Sequence, residues 1–313
     1  MHRMIGIIAA SSLALARDNL TSIPVLAFAL GAVATLARSD VRLPASAVKL
    51  ISAYLLFAIG LKGGHELAST SAADMVGPTI ATVALGVVIA LVVVGVLRWR
   101  ARFSLADSGA IAAHYGSVSA VTFTAAAAFT TTAGQAPEGF MPALVVIMEI
   151  PGIVLPLVIV VLLTGRASLA EARAEVLLGN TVILLGGGLI IGWLAGPRGF
   201  ADVAPFFEAP FKGVLPLFLL ELGALAATHV QAVRKVGLPL IGLAIVGPVI
   251  FGTIGVAAGV AAGLSTGAAA VLGAMAASAS YIAAPAAVSV ALPDAKPAYS
   301  LTAALASRFR STW

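Results

Sequence analysis

Runs of about 20 apolar residues, parted by short polar or basic breaks, recur along this 313-residue chain. A run of that length crosses a hydrocarbon core about 30 Å thick as a helix. The pattern predicts spans at 23–37, 45–63, 76–97, 105–130, 140–164, 176–195, 210–227, 237–263 and 266–292, with a tenth starting near 297. The opening MHRMIGIIAASSLALAR reads as a signal peptide or as a re-entrant or interfacial helix leading into the first span. Two spans read poorly as continuous helices. In DSGAIAAHYGSVSAVTFTAAAA, residues 107–128, Gly116, Ser117, Val118 and Ser119 fall at the middle, with Thr122 one turn on. In AAVLGAMAASASYIAAPAAVSVA, residues 269–291, Ser278, Ala279 and Ser280 repeat the S-x-S spacing, and Pro285 follows. The offset, 278 − 117 = 161, is about half the chain.

Other pieces echo at nearly the same distance. LLFAIGLKGGH and LFLLELGALAATH align Gly60 with Gly223, an offset of 163. Five spans make each half, and an odd number forces the second copy to insert upside down. The expected fold is therefore an all-α polytopic membrane protein of about ten transmembrane helices. They form a five-plus-five inverted repeat, 1–164 and 176–313, in one membrane domain, with spans four and nine discontinuous. A helix broken in mid-membrane exposes N–H groups on one half and C=O groups on the other, and lipid satisfies neither. The N–H end suits a small anion; the carbonyl end, with serine hydroxyls, suits Na⁺. Pro285 fits the first turn of a restarted half-helix. The plainer alternative is a pair of kinked helices packed through small residues.

Composition sharpens this picture. The chain is 60% hydrophobic and 10% charged, where a soluble domain is about a quarter charged. Gly188, Gly192 and Gly196, and likewise Gly255, Gly259 and Gly263, recur every four residues, which suggests close helix contacts. There is no cysteine, hence no disulfide framework or thiolate metal site. The net charge of +5 reads as basic cytoplasmic loops, not as a nucleic-acid surface. Arg38, Arg42, Arg98, Arg100, Arg102, Arg166, Arg173, Arg234, Lys235 and Lys296 fall on one side. Arg3, Arg17, Arg198, Lys212, Arg308 and Arg310 fall on the other. The excess puts the first group inside a bacterial-type inner membrane and both termini outside it.

Among ionisable residues, Glu149 in IMEIPGI is the leading intramembrane candidate, for cation contact or a proton relay. Glu221 and His114 follow, each with a structural hydrogen bond as the alternative. Lys62, His65 and Glu66 are expected to snorkel at a span end, and Asp107 to mark a solvated helix entry. H-E-x-x-H, G-x-S-x-G and P-loop signatures are absent, so the expectation is a non-enzyme. An intramembrane enzyme would need Glu149, Glu221, His114 or His229 clustered together.

The pieces LPASAVKLISAYLLFAIGLKGG, HYGSVSAVTFTAAAAF, MEIPGIV, APFKGVLPLFLLELG with VRKVG, and AASASYIAAP with LPDAKP occur in this order. Together they resemble the sodium-dependent bicarbonate permeases, best known from the carbon-concentrating machinery of cyanobacteria. The resemblance implies ten spans, a homotrimer in the lipid, and Na⁺-coupled bicarbonate uptake with no further cofactor. It puts the anion between Gly116, Ser117, Val118, Ser119 and Thr122 on one side and Ser278, Ala279 and Ser280 on the other. The cation would touch Glu149, Ser280 and Tyr281. Cyanobacterial members carry an acidic residue at the position of Tyr281 and Asp at that of Glu149, so proton coupling stays open beside Na⁺. Their loop after span five is longer than RASLAEARAE here, which leaves a PII-like regulatory partner open too. Another small anion, such as a short carboxylate, and a non-transporting sensor or scaffold are the rival readings. The apolar run 298–306 reaches only about 14 Å as a helix, so a truncated or half-helical tenth span is expected.

Overall fold

A computed structural model of the chain describes residues 21–39, 41–164, 178, 180, 182–233 and 238–280, and seven positions between 284 and 295. The expected tenth span, the 166–175 loop, Tyr281 and Pro285 lie outside the described residues. Among those described there are helices and turns and no strand.

The helices are α1 (Ile23–Leu36), α2 (Ala45–Leu67), α3 (Ala72–Gly95), α4 (Leu105–Gly116), α5 (Ala120–Thr132), α6 (Met141–Thr164), α7 (Gly187–Phe207), α8 (Ala209–Val233), α9 (Leu238–Ala261) and α10 (Thr266–Ala277). A π-helical turn at Val96–Arg100 ends α3, and another at Val182–Gly186 leads into α7. Beyond α10, Ala284, Ala287, Val288 and Ala291 are helical again. Six stretches among the described residues are long and apolar enough to cross a membrane. Their outer faces are apolar: Leu91 and Val92 of α3 and Ile190 and Leu194 of α7 are exposed. That is the pattern of helices solvated by hydrocarbon.

Small residues set how the helices meet. A Cβ on Gly31 of α1 would strike the Leu220 carbonyl of α8 and come within 3.0 Å of Ala224 N. On Gly188 of α7 it would lie 3.0 Å from Phe57 O and 3.1 Å from Leu61 N of α2. Likewise a Cβ on Gly223 would strike the Phe28 carbonyl and approach Ala32 N to 3.1 Å, and one on Gly60 would meet Leu185 O and Leu189 N at 2.5 and 3.1 Å. The first-helix partners differ by 157 residues (188 − 31, 185 − 28, 189 − 32), the second by 163 (220 − 57, 224 − 61, 223 − 60). So α1 sits on α8 as α7 sits on α2, backbone against backbone, as small residues permit where lipid supplies no hydrophobic drive.

The remaining helices form a second group. α4 packs against α3 and α6, and α10 against α9 and α5. Ala284, Ala287, Val288 and Ala291 pack with Ala110, Ala113, Ile153 and Leu157, which sets the segment after α10 against α4 and α6. Gly255 and Gly259 do make close approaches, to Gly273 and Ala269.

Three expectations need correcting. Gly196 and Gly263 are not contact glycines: each has open space around it and positive φ, +63° and +85°, and Gly196 breaks α7. The region after 195, expected as loop, is helix that turns back along α2. Its Phe200 stacks on His65 at 4.1 Å, and Phe206 and Phe207 pack on Tyr54 at 5.5 and 5.7 Å. Asp107 is buried, not solvated: Ser104 Oγ donates to its Oδ2 at 2.7 Å, and its own N–H donates to Ser104 Oγ at 3.0 Å. The rim residues are tied as well, Lys62 pairing with Glu208 at 3.3 Å.

Candidate functional site

Both suspect spans are broken, and the breaks match residue for residue. α4 and α10 are each 12 residues long, about 18 Å, or half a bilayer core. Each is capped by a serine, Ser104 and Ser265, whose side chain accepts from Asp107 N and Ala268 N. Both then stop in extended backbone, Ser117 at φ −95°, ψ 173° and Ser278 at φ −90°, ψ 168°. First residue, last residue, cap and stop all differ by 161 (266 − 105, 277 − 116, 265 − 104, 278 − 117).

The breaks face and touch each other. The N–H of Ser119 donates to Ser278 Oγ at 2.9 Å, and the N–H of Ser280 donates to the His114 carbonyl at 2.8 Å. His114 Nδ1 lies 2.6 Å from the Ser280 carbonyl. Within each break the hydroxyls cover carbonyls of the preceding half-helix: Ser117 Oγ donates to Ala113 O at 2.7 Å, and Ser278 Oγ to Met275 O at 2.7 Å. Ser119 Oγ accepts from Thr122 N at 3.3 Å and so caps α5, and Ser280 Oγ accepts from Ala284 N at 3.5 Å. Gly116, Ser117, Val118, Ser119, Thr122, Ser278, Ala279 and Ser280 are all buried. The result is a buried junction where two half-helix C-termini bring carbonyls close to the N–H groups of Ser119 and Ser280, so opposite partial charges meet in one place.

Glu149 stands on α6, the helix that meets the first break. It is 1% exposed, and its Oε2 has no hydrogen-bond partner among the described residues. Gly152, one turn on and on the same face, is where α6 meets the first break: a Cβ there would strike the Gly116 carbonyl. Glu221 is not at the junction. It is a buried carboxylate whose Oε1 accepts from Arg42 Nε and Nη2 at 3.1 and 2.9 Å, and whose Oε2 accepts from Leu43 N at 2.8 Å. It anchors the turn between α1 and α2 onto α8. The hydrogen-bonding alternative therefore holds for Glu221. His229 has no described side chain, and no group of three metal-ligating side chains occurs among the described residues.

Sequence reasoning did not single out two features. Thr124, buried beside the first break, donates to Ala120 O at 2.8 Å; with Ser52, Leu55 and Phe218 it lines a small gap of about 10 Å³ between α5 and the α2–α8 pair. A cavity of about 870 Å³ opens elsewhere, lined by Glu66, Asp74, Glu138 and Gly263 among others, and no break residue lines it.

Apolar spans around a pair of facing helix breaks define a multi-pass membrane protein with a small polar junction in its core. The chain belongs to the Na⁺-dependent bicarbonate transporter superfamily, whose family model matches residues 24–310. It is thus a transporter-family protein and not an enzyme. No curated protein matches the chain.

Proposed function

We propose that this protein is a secondary active transporter that imports bicarbonate together with Na⁺ by alternating access. The observation that carries the reading is the pair of 12-residue half-helices that end on S-x-S turns in contact with each other. The anion would take N–H groups and hydroxyls at 116–119, Thr122 and 278–280 in exchange for the bonds that Ser119 and Ser280 make across the junction. The cation would take carbonyls, Ser280, Glu149 and Tyr281. Two oppositely charged guests suit a junction where donor and acceptor ends meet. Coupling also solves an electrical problem, since a monoanion entering an inside-negative cell works against about 2.3 kcal/mol per 100 mV. One Na⁺ cancels that cost, and its concentration gradient then drives uptake.

The two matched sets of glycine contacts and the constant 161-residue register support a five-plus-five inverted repeat. In this reading α1, α2, α7 and α8 form the scaffold, and the helices bearing the breaks move against it. A homotrimer in the inner membrane, with both termini outside, completes the proposal; a PII-like partner is its least developed part. Proton coupling is a second reading, favoured by the unpartnered buried carboxylate oxygen of Glu149.

Labelled bicarbonate uptake into proteoliposomes, with and without a Na⁺ gradient, tests the proposal. Stimulation by Na⁺ is the expected result. Stimulation by external acid alone would favour the proton reading, and uptake equal to empty vesicles would reject transport of bicarbonate.

A further inference from the structure

Position 114 is where the two breaks differ in chemistry. Under the 161-residue register His114 corresponds to Met275. The two main-chain carbonyls do the same work, accepting from Ser117 Oγ at 3.2 Å and from Ser278 Oγ at 2.7 Å. The side chains do not, because only His114 brings a polar ring. Its Nδ1 lies 2.6 Å from the Ser280 carbonyl. A carbonyl oxygen only accepts, so Nδ1 carries the proton, and in the neutral ring Nε2 is then a bare lone pair. That nitrogen is fully buried and has no hydrogen-bond partner among the described residues. A buried acceptor without a donor is unfavourable, and this one belongs to a ring bonded across to the second break.

We propose that His114 is a selectivity residue, whose Nε2 accepts the O–H of a bicarbonate held between the breaks; this rests on the anion-site reading given above. Backbone N–H groups and serine hydroxyls bind any small anion oxygen and cannot tell one monoanion from another. Nitrate has the planar shape, the charge and the three oxygens of bicarbonate, but no O–H. Against nitrate, Nε2 sets a lone pair against a negative oxygen; against bicarbonate it completes a hydrogen bond. A site built around a substrate hydroxyl discriminates strongly against analogues lacking it, because its own polar group is then left unpaired. The same lone pair penalises the wrong guest, which is selectivity by repulsion as well as attraction.

The test compares sodium bicarbonate with sodium nitrate in calorimetric titration of the full chain in nanodiscs, wild type against His114→Asn. The asparagine amide can still donate to the Ser280 carbonyl but offers nothing at the place of Nε2. Wild type is expected to prefer bicarbonate about tenfold or more, and His114→Asn to bring the ratio close to one. An unchanged ratio in the variant overturns the role of His114 and leaves the anion site standing. Failure of wild type to bind either anion defeats the site reading itself, and this inference with it. Should the variant not fold, wild type alone decides. Bisulfite, which carries an O–H, is expected to displace bicarbonate where nitrate does not, and equal displacement by nitrate overturns the proposal.

Discussion

Adding one methyl group at Gly152 tests whether the first break is held where transport needs it. A Cβ there would strike the carbonyl of Gly116 and lie 2.7 Å from Ser117 N. All these atoms are main chain, so none can swing aside as a side-chain tip would. Ordinary contact is about 3.5 Å or more, so α6 and the break must part by about 1.5 Å at the Gly116 carbonyl. Overpacking of this kind costs about 1–3 kcal/mol, while alanine regains about 1 kcal/mol of helix propensity over glycine. The net loss of stability is therefore about 2 kcal/mol, the upper end of the range applying because main-chain atoms are struck. The positional effect is larger, since a displacement of about 1 Å at a reacting or binding centre can cost about 100-fold in rate. Gly152→Ala is thus expected to express and unfold within a few degrees of wild type yet transport bicarbonate at about a hundredth of its rate. Gly187→Ala, where the new Cβ meets nothing within 4 Å, is the control and should transport normally. Proteoliposome uptake and thermal unfolding of the same preparations give both readouts. Wild-type uptake by Gly152→Ala would refute the claim that backbone contact at Gly116 fixes the site.

Other substitutions probe separate parts of the account. Ser117→Ala and Ser280→Ala should each weaken uptake about tenfold or more with protein levels unchanged; normal uptake in both would remove these hydroxyls from the site. Glu149→Gln keeps the shape and cannot ionise, so uptake should stop responding to the Na⁺ gradient, or to acid if protons couple; a response like wild type's would take Glu149 out of the coupling. Arg42→Ala leaves the Glu221 carboxylate buried with only the Leu43 N–H, and should destabilise by about 1–3 kcal/mol in denaturant or thermal unfolding, with Arg42→Lys recovering part. Gly196→Ala puts a side chain at φ 63°, ψ −171°, a region that costs other residues about 1–3 kcal/mol; its unfolding midpoint should fall, and no change would mean that the turn back along α2 does not need glycine.

The sequence pattern carried the breaks well because they are local. A small-residue S-x-S turn inside an apolar run cannot hide as a continuous helix, and its repetition 161 residues on fixed where α10 ends. The starts of both half-helices, 105 and 266, were legible as span starts, whereas their serine caps Ser104 and Ser265 were not singled out. Pairings across long separations were not legible. Nothing near Glu221 in sequence marks Arg42, 179 residues away, as its partner, and the matched glycine contacts involve offsets of both 157 and 163, which one alignment of the halves does not display. The helix after Gly196 was missed for a different reason. P-R-G reads as a loop, whereas the positive φ of Gly196 turns the chain within one residue and lets a helix resume at once. Asp107 misled because it stands among arginines, yet its carboxylate is taken up by Ser104 within its own first turn.

The central claim is that one small anion touches both breaks, and the absence of cysteine permits a direct measurement. Ser117→Cys and Ser280→Cys, made one at a time, can be labelled with a small thiol reagent while bicarbonate is raised in the presence of Na⁺. One shared ligand should protect both positions, with the same half-protecting concentration. Protection at a single position, or at neither, would contradict the account.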